Sequence, residues 1–298
     1  MSERPRIDDL WDYDHPEATE QRFREILAQP GVQEEPGYYA ELLTQLARTQ
    51  SLQRKFKAAH SLLDEAHALL EQAGPRARVR WGLERGRTCN SAGEKEQAQA
   101  LFLEAWNLAR EINEEGLAVD AAHMVAIATG GAAGLTWNLK ALDMAEASKD
   151  PDARRWRASL QNNIGWSYHA EGEFEDALQM FEQALETRRE QGHPEDILVA
   201  RWCIARCLRS LGRFEEALGA QQLLLQAYAE LGQPSGYTHE EIGENLLALG
   251  REREAQSYFA QAYAVLSQDL WLADNESARL ARLEQLGSES SSSSPSQR

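Results

Sequence analysis

Apolar side chains recur along this chain at intervals of three and four, the spacing that lines one face of an α-helix. The clearest unit runs from Leu160 to Glu190 and reads as two helices. Ile164, Gly165 and Tyr168 mark one face of the first, Gly172 makes the turn, and Ala177, Phe181 and Ala184 mark the second. Anchoring on the small residue of each first helix gives six copies, at Ala47, Gly86, Ala126, Gly165, Ala205 and Gly243. Their successive separations are 39, 40, 39, 40 and 38 residues. The second helices follow in step, with the triplets Ala59/Leu63/Ala66, Ala98/Phe102/Ala105, Asn138/Leu142/Ala145, Ala177/Phe181/Ala184, Ala217/Gln221/Leu224 and Ala255/Phe259/Ala262. Gly and Pro punctuate the ends of the second helices, at Gly74-Pro75, Gly116, Asp150-Pro151, Gly192 with Pro194, and Gly232 with Pro234.

The spacing has a physical cause. Small residues let the two helices of a pair approach, and the aromatic or Leu side chain fills the space above them. The pattern therefore predicts an all-α chain of about six helix-turn-helix repeats over residues 35–272, with a capping helix at each end. Residues 1–15 read as irregular, 16–34 as the N-terminal cap with Phe23, Ile26 and Leu27 on one face, and 273–287 as the C-terminal cap carrying Leu280, Leu283 and Leu286. Residues 288–298, rich in Ser, cannot bury a core and read as disordered. The third copy departs from the rest: its turn reads Gly130-Gly131-Ala132-Ala133-Gly134, Asn138 stands where Ala is expected, and the glycines suggest a local hinge.

Gly165, Tyr168, Gly172, Ala177, Phe181 and Ala184 together resemble the signature of the tetratricopeptide repeat. The Asn162-Asn163-Ile164-Gly165 opening and the period near 39 resemble the longer subgroup found in kinesin light chains and related cargo adaptors. HEAT repeats share the period but lack this small-turn-small-aromatic-small pattern. The resemblance implies a right-handed α-α superhelix with the first helices on its concave side, and a protein-interaction role.

Charge and composition narrow the function further. The net charge of −17 repels nucleic acid and anionic lipid, so the expected partners are proteins or peptides, with homo-oligomers open. No run is long and apolar enough for a membrane span, and Met1–Leu10 lacks the apolar core of a signal peptide, which points to the cytoplasm. Cys89, Cys203 and Cys207 are too sparse for a disulfide framework; Cys203 and Cys207 share a helical face but have no second pair to complete a metal site. HExxH, GxSxG and a phosphate-binding loop are all missing from the sequence, so neither a catalytic role nor a cofactor is expected.

The candidate chemistry lies on the first helices. Offsets of −6, −3, +1 and +4 from each small residue share one helical face. Across the copies that stripe holds five Arg and four acidic residues, a formal +1 over 24 positions in a chain of −17. Its expected ligand-contacting residues are Arg48, Arg80, Arg87, Asn90, His123, Asn162, Trp166, His169, Trp202, Arg206 and Arg209. Arg presents a planar fork to carboxylates, Asn can hold a peptide backbone, and Trp supplies anchoring area, with core packing the alternative for Trp166 and Trp202. The resemblance implies an acidic or extended peptide, or a free C-terminal carboxylate, as the bound group. The alternatives are a regulator whose superhelix changes pitch on binding a peptide signal, and a helical domain of an enzyme.

Overall fold

A computed structural model of the chain describes residues 4–288. It divides into two compact units, Met1–Leu160 and Gln161–Arg298. Every regular element among the described residues is helical.

Unit 1 opens with a short 3-10 turn, Ile7–Leu10, where an irregular segment was expected, and continues into α1 (Pro16–Leu27). Three antiparallel pairs follow: α2 (Pro36–Leu52) with α3 (Phe56–Ala73), α4 (Pro75–Ser91) with α5 (Lys95–Glu111), and α6 (Glu115–Thr129) with α7 (Gly131–Ala147). A one-turn helix, α8 (Pro151–Arg154), lies between the third and fourth copies, in a stretch read from sequence as a simple breaker. Its cap, Asp150, accepts a hydrogen bond from the Asp152 amide, and another from the Gly116 amide at 3.1 Å, which ties the loop to α6. Next comes α9 (Arg157–Ala170), and the unit boundary falls within it.

Unit 2 pairs the rest of α9 with α10 (Phe174–Gln191), then α11 (Pro194–Ser210) with α12 (Phe214–Glu230), and α13 (Gly236–Ala248) with α14 (Glu252–Leu266). The expected final helix is split: α15 (Leu270–Asn275) precedes α16 (Ser277–Ser288), and α16 covers α14 with Leu280 and Leu283 buried. Of the Ser-rich tail, Ser288 ends α16 and residues 289–298 lie outside the described residues.

Local signals explain the boundaries. Pro sits in the first turn of α1, α2, α4, α8 and α11, where its missing N–H costs nothing and its fixed φ suits a helix. The residues read as stops are thus also starts. Each pair turns at a residue of positive φ, Arg54, Gly93, Gly130, Gly172, Gly212 or Gly250, and in the third pair Gly131, the first residue of α7, shares that conformation. In five copies the turn residue lies seven positions after the small residue, and in the third only four. The third copy nonetheless forms a full helix pair, joined by Gly130 alone. The rest of its glycine run belongs to α7. A Cβ on Gly134 would stand 2.7 Å from the Ala126 carbonyl oxygen, so this glycine serves close approach of α6 and α7 rather than a loose hinge.

The interior of each pair is set by volume. Phe102, Phe181 and Phe259 are fully buried, each seated on a glycine: Gly86, Gly165 and Gly243. A Cβ would come within 2.7 Å of the Phe181 ring at Gly165 and 2.8 Å of the Phe259 ring at Gly243. The other three copies have Ala at the small position and a smaller side chain opposite: Ala47 with Leu63, Ala126 with Leu142, Ala205 with Gln221. Gly–Phe and Ala–Leu/Gln therefore alternate along the chain, the larger ring always meeting the smaller partner. Gln221 is fully buried, and neither atom of its amide has a hydrogen-bond partner among the described residues.

Two outcomes follow for stability. Gly165→Ala will cost about 1–3 kcal/mol by overpacking, and adding Phe181→Leu will recover part of that loss, since it restores the size relation of the first and third copies. A double variant no more stable than the sum of the singles, measured by urea denaturation, would remove the volume argument. Gln221→Leu will raise stability by about 1–3 kcal/mol, because it deletes an unsatisfied buried amide.

Candidate functional site

In unit 1 the first helices α2, α4 and α6 pack side by side. They bring Arg48, Arg80 and Arg87 to one cavity of about 330 Å³, lined also by Asp8, Glu84, Asp120 and Trp156. These arginines already have partners. Arg80 is 5% exposed, with Nη2 2.5 Å from Asp8 and Nε 2.8 Å from Glu41. Burial opposes its charge, but Asp8 and Glu41 outweigh burial and hold the guanidinium above its ordinary range. The same holds at Arg87, where burial is overcome by Asp120 and by Glu84, 2.6 Å away. Arg48 lies 3.3 Å from Glu84. The basic stripe expected here is therefore neutralised. Asp8 and Glu84, both outside the stripe, reach into it.

Two further candidates from the same unit stand apart from the cavity wall. Asn90 is half-buried at the end of α4, its carbonyl accepting from the Gly93 amide. His123 sits 5.2 Å from the Trp156 ring, and burial, with Arg87 adding repulsion, pushes its imidazole below the usual range.

In unit 2 the remaining candidates converge. Trp166 and Trp202 have ring centroids 6.2 Å apart, and Tyr237 continues the run at 6.2 Å from Trp202. Trp166 also meets the Phe181 ring edge-on at 5.0 Å and packs, half-buried, against the core of that pair. The Trp202 indole N–H is buried without a hydrogen-bond partner among the described residues. Beside this run, Arg206 and Arg209 share one carboxylate: Arg206 Nε is 3.1 Å from Glu241, and Arg209 donates to it twice, at 2.7 and 3.0 Å. Arg206 and His169 both meet the Ser210 hydroxyl, at 2.7 and 2.9 Å. The Asn162 side-chain oxygen accepts a hydrogen bond from the Cys203 thiol at 3.2 Å.

The electrostatics of this group differ from those of unit 1. Burial, helped by the charge of Arg209, depresses the Arg206 guanidinium despite Glu241. Burial likewise lowers His169, and Arg206 and Arg209 push in the same direction. Burial raises the Glu241 carboxyl more than its two arginines lower it. Burial also opposes the charge of Arg209, but Glu241, with Glu244 and Glu240 beyond it, outweighs burial and holds that guanidinium above its ordinary range. Burial raises the Cys203 thiol to about 12 and Cys207 to about 11, which leaves both unreactive packing groups.

Tyr237 and Glu241 escaped selection from sequence, yet Glu241 had a signal. It lies two residues before the small residue of its copy and binds Arg206 and Arg209 of the preceding copy. Glu84 occupies the same offset and binds Arg48 of the copy before it. Among the described residues no group of three or more His, Cys, Asp and Glu could hold a metal ion, and no helix is long and apolar enough to cross a membrane.

Residues 131–190 match the tetratricopeptide repeat family model. Solved structures share the fold. Apo RapI aligns with a TM-score of 0.70 at 15% identity, covering 94% of this chain and 78% of that one. NprR in complex with its cognate peptide NprX aligns at 0.56 with 18% identity, over 94% and 82% of the two chains. Kinesin light chain-type repeats from Podosopora anserina align at 0.50 with 20% identity, over 65% and 97%. The family match is confined to residues 131–190, and the likeness to these solved structures is one of fold. No curated protein sequence matches this repeat protein.

The histidines make repeat packing sensitive to acid. A lowered folded-state value means that the native state favours the neutral ring, so this stabilisation is present above the unfolded value, about 6.5, and is lost as pH falls through the folded value. Thermal stability will fall between neutral pH and pH ~5, and His123→Gln/His169→Gln will flatten that slope. An unchanged slope in the double variant would assign the effect to other groups.

Proposed function

We propose that the chain is a non-catalytic interaction scaffold, and that the first-helix face of unit 2 holds a peptide bearing an acidic side chain or a free C-terminal carboxylate. The observation that carries this is the pairing of two guanidinium groups with one carboxylate beside a half-buried aromatic run. A ligand carboxylate would join Glu241 on Arg206 and Arg209 through charge-assisted hydrogen bonds. Trp166, Trp202 and Tyr237 would supply flat apolar area for the flanking residues. The peptide complex of NprR supports the reading as a use to which this fold is put. Arg80 and Arg87 are left out of this placement because their charges are already met within the chain.

Selection of random peptides with free C-termini tests the assignment. Wild type will enrich sequences with Asp, Glu or a terminal carboxylate beside an apolar residue. Arg206→Glu/Arg209→Glu will bind those peptides about a hundredfold more weakly at unchanged helicity. Enrichment without acidic groups, or equal binding by the double variant, would overturn the placement.

A further inference from the structure

The side of α4 turned away from its inward stripe floors a cavity of about 590 Å³, walled by α3 and α5. Trp81, Arg85 and Cys89 stand at −5, −1 and +3 from Gly86. At about 100° per residue these positions point opposite to −6, −3, +1 and +4, so the cavity shares no residue with the expected groove. From α3 come His60, Asp64 and His67; from α5 and its N-cap come Gln97, Leu101 and Glu94. The volume lies in the range of small-molecule sites.

Arg85 holds this group together. One Nη lies 2.7 Å from His60 Nδ1, and the other donates to Asp64. A guanidinium can only donate, so His60 Nδ1 accepts and Nε2 carries the ring proton. The Arg85 Cζ is 5.7 Å from the Trp81 ring centroid, and His67 meets the same indole at 4.8 Å. The Trp81 N–H already donates to the Leu63 carbonyl at 2.9 Å, which leaves its apolar surface for the cavity.

The counter-charge sets Arg85 apart. Its side chain is 16% exposed, yet that of Asp64 is 69% exposed. Arg80 and Arg87, on the other side of α4, are met by Asp8, Glu41, Glu84 and Asp120, which are 5–14% exposed. A pair with a solvated partner is weakly held, so Asp64 can give way to another carboxylate. With Asp64 turned to solvent, one cation, Arg85, and one anion, Glu94, remain. Both act on the Cys89 thiol: burial and a hydrogen bond to Glu94 raise it, and the charge of Arg85 lowers it. The two charges thus converge on one side chain.

We propose that this cavity binds a free α-amino acid with an apolar or aromatic side chain. Its carboxylate replaces Asp64 on Arg85 and accepts from His60 Nε2. Its ammonium meets Glu94, and its side chain lies against Trp81 and Leu101. A zwitterion matches the remaining cation and anion, whereas an organic acid would leave Glu94 beside a carboxylate and an amine would leave Arg85 with nothing to exchange. The site uses none of the residues in the reading of unit 2.

Isothermal titration calorimetry of the full chain with L-phenylalanine, L-tryptophan and L-leucine tests the assignment. The best of the three will bind with a Kd of about 1 mM or tighter. Its analogues without the amine, and without the carboxylate, will each bind about tenfold more weakly or worse. Arg85→Gln and Glu94→Gln will each weaken binding by a similar factor; Glu94 is exposed, so its variant leaves the helix packing untouched. Asp64→Asn will instead tighten binding about threefold, because it removes the internal competitor. Arg206→Glu/Arg209→Glu will leave the affinity unaltered, which keeps this test separate from that of unit 2. Absence of binding by all three amino acids at about 10 mM would overturn the proposal. So would equal binding of the analogues, or an affinity indifferent to Glu94→Gln.

Discussion

Each repeat depends on one steric relation: the helices of a pair can approach only as closely as the small residue on the first helix permits the large residue on the second. Where that residue is Gly, a full phenyl ring fits, as at Gly86, Gly165 and Gly243; where it is Ala, the opposite side chain shrinks to Leu or Gln. The contact is short range and steep, so a single methyl group decides it. The period near 39 residues follows, because every copy must return the small residue to the same place on its first helix. Even the third copy, with its shortened turn, keeps Ala126 and Leu142 buried.

With the pairs held in this way, the first helices carry a repeating electrostatic device. An acid two residues before the small position receives an Arg from the preceding copy: Glu84 from Arg48, and Glu241 from Arg206 and Arg209. Such pairs contribute little net stability when half-buried, since desolvation offsets attraction. What they do is choose neighbours, because a slip of one position leaves a buried charge unmet. The two units then diverge. In unit 1 the carboxylates of Asp8, Glu41, Glu84 and Asp120 meet the inward arginines, whereas in unit 2 Arg206 and Arg209 share Glu241.

The six helix pairs, their phase and the identity of the buried rings were legible in the sequence, because each depends on residues within one copy: helical spacing, a glycine or proline at each end, a small residue opposite a large one; the short α8 and α15 were not. The offsets within a copy also group residues that lie near one another, Arg48, Arg80 and Arg87 around one cavity, and Trp166, His169, Trp202, Arg206 and Arg209 along α9 and α11. What could not be read there is which charges remain to be satisfied. Asp8 meets Arg80 across 72 residues, and Glu241 meets Arg209 across 32. Those encounters depend on how copies stack and where the leading segment lies, and no periodicity within a copy records either. Whether a cation is spoken for is a property of every neighbour it meets in three dimensions, and the tertiary structure alone supplies those neighbours.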